Sequence, residues 1–297
     1  MSKTNPKGRY LSLSPSRKFL LMLARHAQKV PSVLVVRKTN IRALVEARSQ
    51  LAERPSWAAV FMKAYGTVAA RRGEFRRAFF AYPWPRLYEH PINICSLAIE
   101  REWQGELGVF FTLIRKPEEW PLAGLTECIR RHKTVPVEDV GFFRQAIRFS
   151  RLPRWLTWPM VWSTLNVMGY KRAKRLGTFS LSAYGGLGAE SFHAVSPLTT
   201  TMSYGVIEPN GEVALKLMYD HRVLDGATVA RALTETDHVL QTSILEELQS
   251  LGAGEGETGA GGQRLRLDRP LPMIGEPRPG HGTSSGNDYR PIEREDG

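Results

Sequence analysis

The chain has 297 residues and a mass of 33.4 kDa, with 42% hydrophobic and 24% charged residues. That suffices for a sizeable core in one large domain or two small ones. Two cysteines, Cys95 and Cys128, exclude a disulfide framework and a thiolate metal cluster, which points to a reducing, cytoplasmic setting. The formal charge of +12 admits nucleic acid, membrane lipid or an anionic cofactor as a partner.

Residues 1–14, with Lys3, Lys7 and Arg9, read as a flexible N-terminus. Ser16 then caps a helix through Phe19, Leu20, Leu23 and Ala27 at a spacing near 3.6. Arg25 ends the apolar run that starts at Phe19, which leaves it too short for a secretory signal or a membrane span. Val33–Val36 is β-branched and follows Pro31, so it reads as a strand. Asn40 caps a helix through Ile41, Leu44, Val45 and Leu51, and Ser56 caps another through Ala59, Val60, Lys63 and Ala64.

Strands are predicted at 92–99 and 107–114, the second so continuously apolar that burial on both faces is expected. A helix follows over 121–132 with Pro121 in its first turn. Residues 142–175 form a Trp- and Arg-rich stretch that the rest of the pattern does not explain. Beyond it, 177–182, 201–207 and 212–219 read as strands, the last alternating Val213, Leu215, Leu217 and Tyr219 on one face. Asp225 or Thr228 opens the last helix, through Val229, Leu233, Val239 and Ile244. Helices and strands mix without strict βαβ alternation, so the class is α+β.

From Gly252 the texture changes. Residues 252–297 hold 11 of the 26 glycines and 5 of the 19 prolines, with six basic and eight acidic residues, leaving +14 on residues 1–251. Such a segment cannot bury enough apolar area to offset its ordering entropy and reads as a disordered tail. The ordered domain is therefore 15–251.

Few sequences of chemical interest stand out. Tyr184-Gly185-Gly186-Leu187-Gly188 lacks the third glycine of a dinucleotide-binding turn, with Ser191 in its place, and reads as a tight turn. No phosphate-binding loop, zinc-protease helix or paired-cysteine motif occurs, and no metal is expected. Of the seven histidines, His26, His90, His132, His193, His238 and His281 read as solvated. His221 differs, because it stands where the alternating strand stops, with Asp225 and Gly226 four and five residues on. That placement suits a positioned general base as well as a structural strand-end histidine.

The segment Asp220-His221-Arg222-Val223-Leu224-Asp225-Gly226-Ala227 resembles the D-H-R-x-x-D-G-A signature of the 2-oxoacid dehydrogenase complex acyltransferases. Their catalytic domain shares its fold with chloramphenicol acetyltransferase. Gly177-Thr178-Phe179-Ser180-Leu181-Ser182 is similar to that family's G-T-F-T-I-S strand. Weaker likenesses run in order at Val30-Pro31-Ser32-Val33, Pro91–Ile94 and Gly108–Phe111, so the resemblance covers about 15–245.

The resemblance implies a mixed sheet flanked by helices and a coenzyme A-dependent acyl transfer, with acyl-CoA as substrate and an acceptor the sequence does not name. His221 is then the general base, Ser182 the oxyanion donor, and Asp225 a brace for the loop through an ion pair with Arg222 as its neighbour. It also implies trimers in which His and Ser meet across each interface. Ser182 as a plain strand hydroxyl, and Asp225 as a helix cap, remain open readings. The chain departs from the family by starting almost at the catalytic domain, so no lipoyl domain or lipoyl group of its own is expected, and by the insert at 142–175. Three functions are weighed. The first is a stand-alone acyltransferase. The second is an inactive trimeric scaffold or binding module. The third is nucleic-acid binding, which rests on charge alone and is set aside. In the insert, Trp155, Trp158 and Trp162 recur at spacings of three and four among arginines, although Pro153 and Pro159 break the stretch. Peripheral contact with an anionic membrane or lipid-like substrate is one reading. A helical pair packed on its own domain, with the tryptophans in the core, is the other.

Overall fold

A computed structural model describes residues 8–183, 188–192 and 194–258. Nine helices are described: α1 Pro15–Ala27, α2 Arg42–Ser49, α3 Trp57–Arg71, α4 Leu122–Thr134, α5 Gly141–Ser150, α6 Arg154–Asn166, α7 Gly169–Leu176, α8 Gly226–Val239 and α9 Leu245–Thr258. Eight strands accompany them: β1 Ser32–Asn40, β2 Arg77–Phe80, β3 Arg86–Glu89, β4 Ile94–Trp103, β5 Glu106–Arg115, β6 Phe179–Ala183, β7 Thr200–Tyr204 and β8 Glu212–Asp220. Six strands make one mixed sheet in the order β1-β8-β7-β6-β4-β5, and β2 and β3 pair separately. Strand β6 is parallel to both of its neighbours, β4 and β7. This is the expected α+β layout.

One face of the sheet is apolar and packs under α3. That helix buries Val60, Phe61, Met62, Ala64, Tyr65 and Val68, more than one stripe's worth, as a helix enclosed on several sides must. Phe61 stacks on Tyr204 at 4.1 Å, and the edge of Tyr65 meets Phe179 at 5.0 Å. Tyr65 donates its hydroxyl to Thr200 Oγ1 at 2.9 Å, and burial pushes its pKa up, so it stays a neutral donor. The α8 helix continues through a π turn at Leu240–Ile244 into α9, which runs past the expected boundary at 251 as far as Thr258. The remainder of the tail and residues 1–7 lie outside the described residues. Among the described residues no helix is long and apolar enough to cross a membrane.

Several local expectations need correction. Ser14, not Ser16, occupies the cap position of α1, with Pro15 at its first turn. Strand β1 runs on to Asn40, whose Oδ1 still accepts from the Arg42 N–H at 2.9 Å, while Ser56 caps α3 by accepting from Ala59 N–H at 3.2 Å. The β5 strand is an edge strand, and both α1 and α5 pack on it: Phe111 meets Phe19 of α1 and Phe110 meets Phe143 of α5. That is why it reads as apolar throughout, although Val109 and Phe111 are only half-buried. The β2–β3 pair has no strong sequence pattern and was not expected. His90, expected in solvent, is buried and its Nδ1 lies 2.9 Å from Ile92 O.

The insert folds into α5, α6 and α7. Pro153 separates α5 from α6, but α6 passes through Pro159 unbroken. Arg175 of α7 donates to Thr164 of α6 at 3.0 Å, and Trp162 lies against Tyr82 beside β2 at 5.2 Å. Packing accounts for Trp162 only. Trp155 and Trp158 are exposed, so the expectation of all three tryptophans in a core fails.

The step from α7 to β6 depends on Gly177. Its φ of 94° and ψ of 176° lie in a region open almost only to glycine, and a Cβ there would sit 2.8 Å from Ile94 O. Thr178 then locks the register, its N–H donating to Ile94 O at 2.8 Å and its Oγ1 accepting from Ile94 N–H at 2.9 Å. Gly177→Ala should therefore lower stability by about 2 kcal/mol or more. Urea unfolding will show a lower midpoint at an unchanged slope.

Candidate active site

The β8 strand lies between β1 and β7 and ends at Asp220. The Asp220 side chain is buried. Arg222 donates to it twice, from Nε to Oδ1 at 2.9 Å and from Nη2 to Oδ2 at 2.7 Å, and the Arg222 N–H adds a third bond to Oδ1 at 3.0 Å. Arg222 also stacks over Phe79 at 4.6 Å. Behind this pair sits the buried Arg172, which donates to Phe79 O at 3.1 Å and Pro197 O at 2.5 Å. Burial pulls its pKa down to about 10, with Asp220 opposing the shift and Arg222 adding to it, so it remains a cation at neutral pH.

His221 follows on this turn. Its N–H donates to Pro31 O at 3.0 Å, so the backbone is pinned to the start of β1. The ring is 51% exposed, and its Nδ1 lies 4.0 Å from Asp225 Oδ1. Asp225 is 85% exposed and occupies the N-cap position of α8 without a side-chain cap bond. The expected Arg222–Asp225 pair does not form. Arg222 is committed to Asp220, a stronger two-point contact already closed within the turn. Gly226 has a packing reason: a Cβ there would come within 3.3 Å of the Tyr219 hydroxyl.

Ser182 stands elsewhere on the sheet. Phe179 and Leu181 of β6 enter the core, which turns Ser180 and Ser182 to the opposite face. There Ser180 Oγ lies 2.8 Å from Thr201 Oγ1. Ser182 is in register with Ser203, and Ser203 with Lys216 of β8. Among the described residues the Ser182 hydroxyl has no hydrogen-bond partner. From this register, His221 is five residues along β8 and two strands across from Ser182. At ~3.3 Å per residue and ~4.8 Å per strand, the two lie about 20 Å apart on one chain. His221 and Asp225 come together, whereas Ser182 does not join them.

The same polar row holds a group that sequence reading missed. Lys216 is 2% exposed; it donates to Glu190 Oε2 at 2.6 Å and lies 4.0 Å from the Phe192 ring centre. Glu190 Oε1 also accepts from Val206 N–H at 3.1 Å, and Lys216 holds the Glu190 carboxyl below the usual carboxylate range. These contacts fasten residues 190–192, beyond the Ser182 strand, onto the sheet. Asp220 and Arg172 were missed too, and only Asp220 carried a signal, its place beside His221. Of the glycine-rich turn, Gly188 takes the expected positive φ, 67°, while residues 184–187 and His193 lie outside the described residues.

No protein-family model matches the chain, and no curated protein matches its sequence. Solved structures do match. A probable dihydrolipoamide acetyltransferase from Listeria monocytogenes aligns at 15% identity and a TM-score of 0.55 over 79% of this chain and 94% of that one. A dihydrolipoamide acetyltransferase from Azotobacter vinelandii aligns at 16% and 0.58 over 83% and 96%. That enzyme has been probed for the roles of a serine, a histidine and an asparagine four residues beyond the histidine in its catalytic mechanism. The truncated catalytic core of a 2-oxoacid dehydrogenase complex from Thermoplasma acidophilum aligns at 14% and 0.56 over 79% and 99%. The chain thus has the fold of these acyltransferase cores.

The Lys216–Glu190 pair yields an ordered expectation. Glu190→Gln strands a buried ammonium and should cost about 3 kcal/mol, whereas Lys216→Met leaves a carboxylate that reaches solvent and should cost less. The depressed Glu190 contributes stability that is full above the ordinary carboxylate pKa and lost as pH falls through the lower folded value. Denaturant midpoints across acid pH should therefore fall less steeply in Lys216→Met than in the wild type.

Proposed function

We propose that the chain is a coenzyme A-dependent acyltransferase whose active site is completed between copies of the chain. The observation that carries this reading is the placement of His221. It is a half-exposed imidazole on a turn pinned at both ends, in a fold shared with acyltransferase cores. Asp225 supports it as the carboxylate nearest the ring, four residues on, where the Azotobacter enzyme has an asparagine.

The chemistry follows from the groups present. His221 takes the proton of the acceptor, a thiol, amine or hydroxyl, as the acceptor attacks the thioester carbonyl of acyl-CoA. The tetrahedral oxyanion accepts a hydrogen bond from the Ser182 hydroxyl of a neighbouring copy. On collapse the C–S bond breaks, and the departing CoA thiolate recovers the proton from the His221 imidazolium. Asp225 faces that imidazolium and stabilises it without exchanging protons. Asp220, Arg222 and Arg172 act earlier, by fixing the turn that aims the ring.

An acyl-CoA and acceptor screen read by mass spectrometry tests the activity. Wild type should transfer an acyl group, His221→Ala should lose nearly all turnover, and Ser182→Ala should lose on the order of 10²-fold in kcat. Wild-type turnover in His221→Ala would end the mechanism. A well-folded trimer that transfers nothing would favour the scaffold reading instead.

Shared sites make a second, sharper expectation. Sedimentation equilibrium should give a multiple of three chains. Oligomers assembled from equal parts of His221→Ala and Ser182→Ala chains should regain about a quarter of wild-type activity, the fraction of interfaces that unite an intact His with an intact Ser. No recovery on mixing would overturn the shared site.

A further inference from the structure

The acyl-transfer reading leaves one surface unused. Along α6, Trp155 is 76% exposed and Trp158 55%, and Leu156 and Met160 are exposed farther round the helix. At 100° per residue Trp155, Trp158 and Trp162 fall within about 60° of one another, and Trp162 contacts Tyr82 at 5.2 Å. That contact joins α6 to the β2–β3 turn, where Tyr82 is exposed and Trp84 is 63% exposed. Two segments far apart in sequence thus build one aromatic surface.

Its charge is one-sided. Residues 140–189 contain eight lysines and arginines and no aspartate or glutamate. Arg144, Arg148, Arg151, Lys171 and Lys174 are exposed, and among the described residues none of them is in an ion pair. Lys174 lies 5.9 Å from the ring of exposed Tyr170, and Arg86 lies 5.5 Å from the Trp84 ring. Exposed aromatics of this size on a soluble surface mark a contact site. The partner must be anionic and must accept indole rings. A second copy fits poorly, since residues 1–251 carry +14 and two such faces would repel.

We infer that the α6 face, with the β2–β3 turn, docks on an anionic phospholipid surface. Indoles seat at the level of the headgroups, where an apolar body and a polar N–H are both satisfied, and the flanking cations meet lipid phosphates. Pro159 and the length of 13 residues suit a helix lying along the surface, and α6 is far too short to cross it. The inference does not depend on acyl transfer, so His221→Ala protein should dock as the wild type does.

Vesicle co-sedimentation of the full chain tests it, with phosphatidylcholine alone against phosphatidylcholine mixed with phosphatidylglycerol. The wild type and His221→Ala should pellet with the anionic vesicles at low salt and stay largely in the supernatant with the neutral ones. Trp155→Ser/Trp158→Ser should weaken binding about tenfold or more. Arg151→Glu and Lys174→Glu should each weaken it by about fivefold or more. These side chains are exposed, so thermal midpoints should stay at the wild-type value, which separates lost docking from lost folding. Equal recovery in the supernatant with both vesicle types would overturn the inference. So would anionic binding that the tryptophan variants leave unchanged. A tryptophan variant that alters the sedimentation mass without altering vesicle binding would reassign the face to contact between copies.

Discussion

A carboxylate buried beside two guanidinium groups holds the turn on which the candidate catalytic histidine sits. Asp220 has no access to water, so its charge is tolerable only because Arg222 closes on it twice and the buried Arg172 lies behind. Arg172 in turn is anchored by carbonyls of Phe79 in β2 and Pro197 ahead of β7, and Arg222 stacks on Phe79. Segments distant in sequence therefore converge on one residue. The strand end is held by these contacts, and the imidazole projects from it with half its surface free. Positioning of this kind is what a general base requires, because a proton must be taken at one place and returned there.

The sheet then imposes a separation. Its apolar face packs under α3 and stabilises the fold, while the opposite face carries Ser180, Ser182, Thr201 and Ser203. Strand spacing keeps Ser182 about 20 Å from His221 within one chain. Ser182 lies within the sheet's ladder, and His221 follows directly on the end of β8 with its N–H bonded to Pro31 O, so the fold holds the two apart. If the two cooperate they do so between copies, and activity becomes a property of the assembly.

Much of this was legible in the sequence. The alternation through Val213, Leu215, Leu217 and Tyr219 located β8, its end and His221, and the Gly177–Ser182 match located β6. Period-2 reading describes one side of a strand, however, and takes the other for solvent. Lys216 sits on that other side, where the Glu190 segment covers it, and nothing local to residue 216 announces a partner 26 residues away. Arg172 was hidden for a similar reason, inside a run of cations that looks solvated. The misplaced Arg222 partner has a different cause: spacing allowed either Asp220 or Asp225, and the two-point geometry available to Asp220 prevailed. Short β2 and β3, four residues each, carry too little pattern to read.

The insert shows how structure and surface chemistry divide within one segment. Helix α5 packs on the edge strand β5 through Phe143 and Phe110. Helix α7 supplies Arg172 to the Asp220 turn. Between them, α6 buries Thr157, Thr164 and Leu165, takes a hydrogen bond from Arg175 and sets Trp162 against Tyr82. Its tryptophans at 155 and 158 keep most of their surface in water, and serine or lysine there would be simpler for a surface helix. Large apolar side chains kept in water beside unpaired cations are a standing liability for solubility. A contact that covers them turns that liability into affinity, and the one-sided charge around them sets the sign of what the contact must carry.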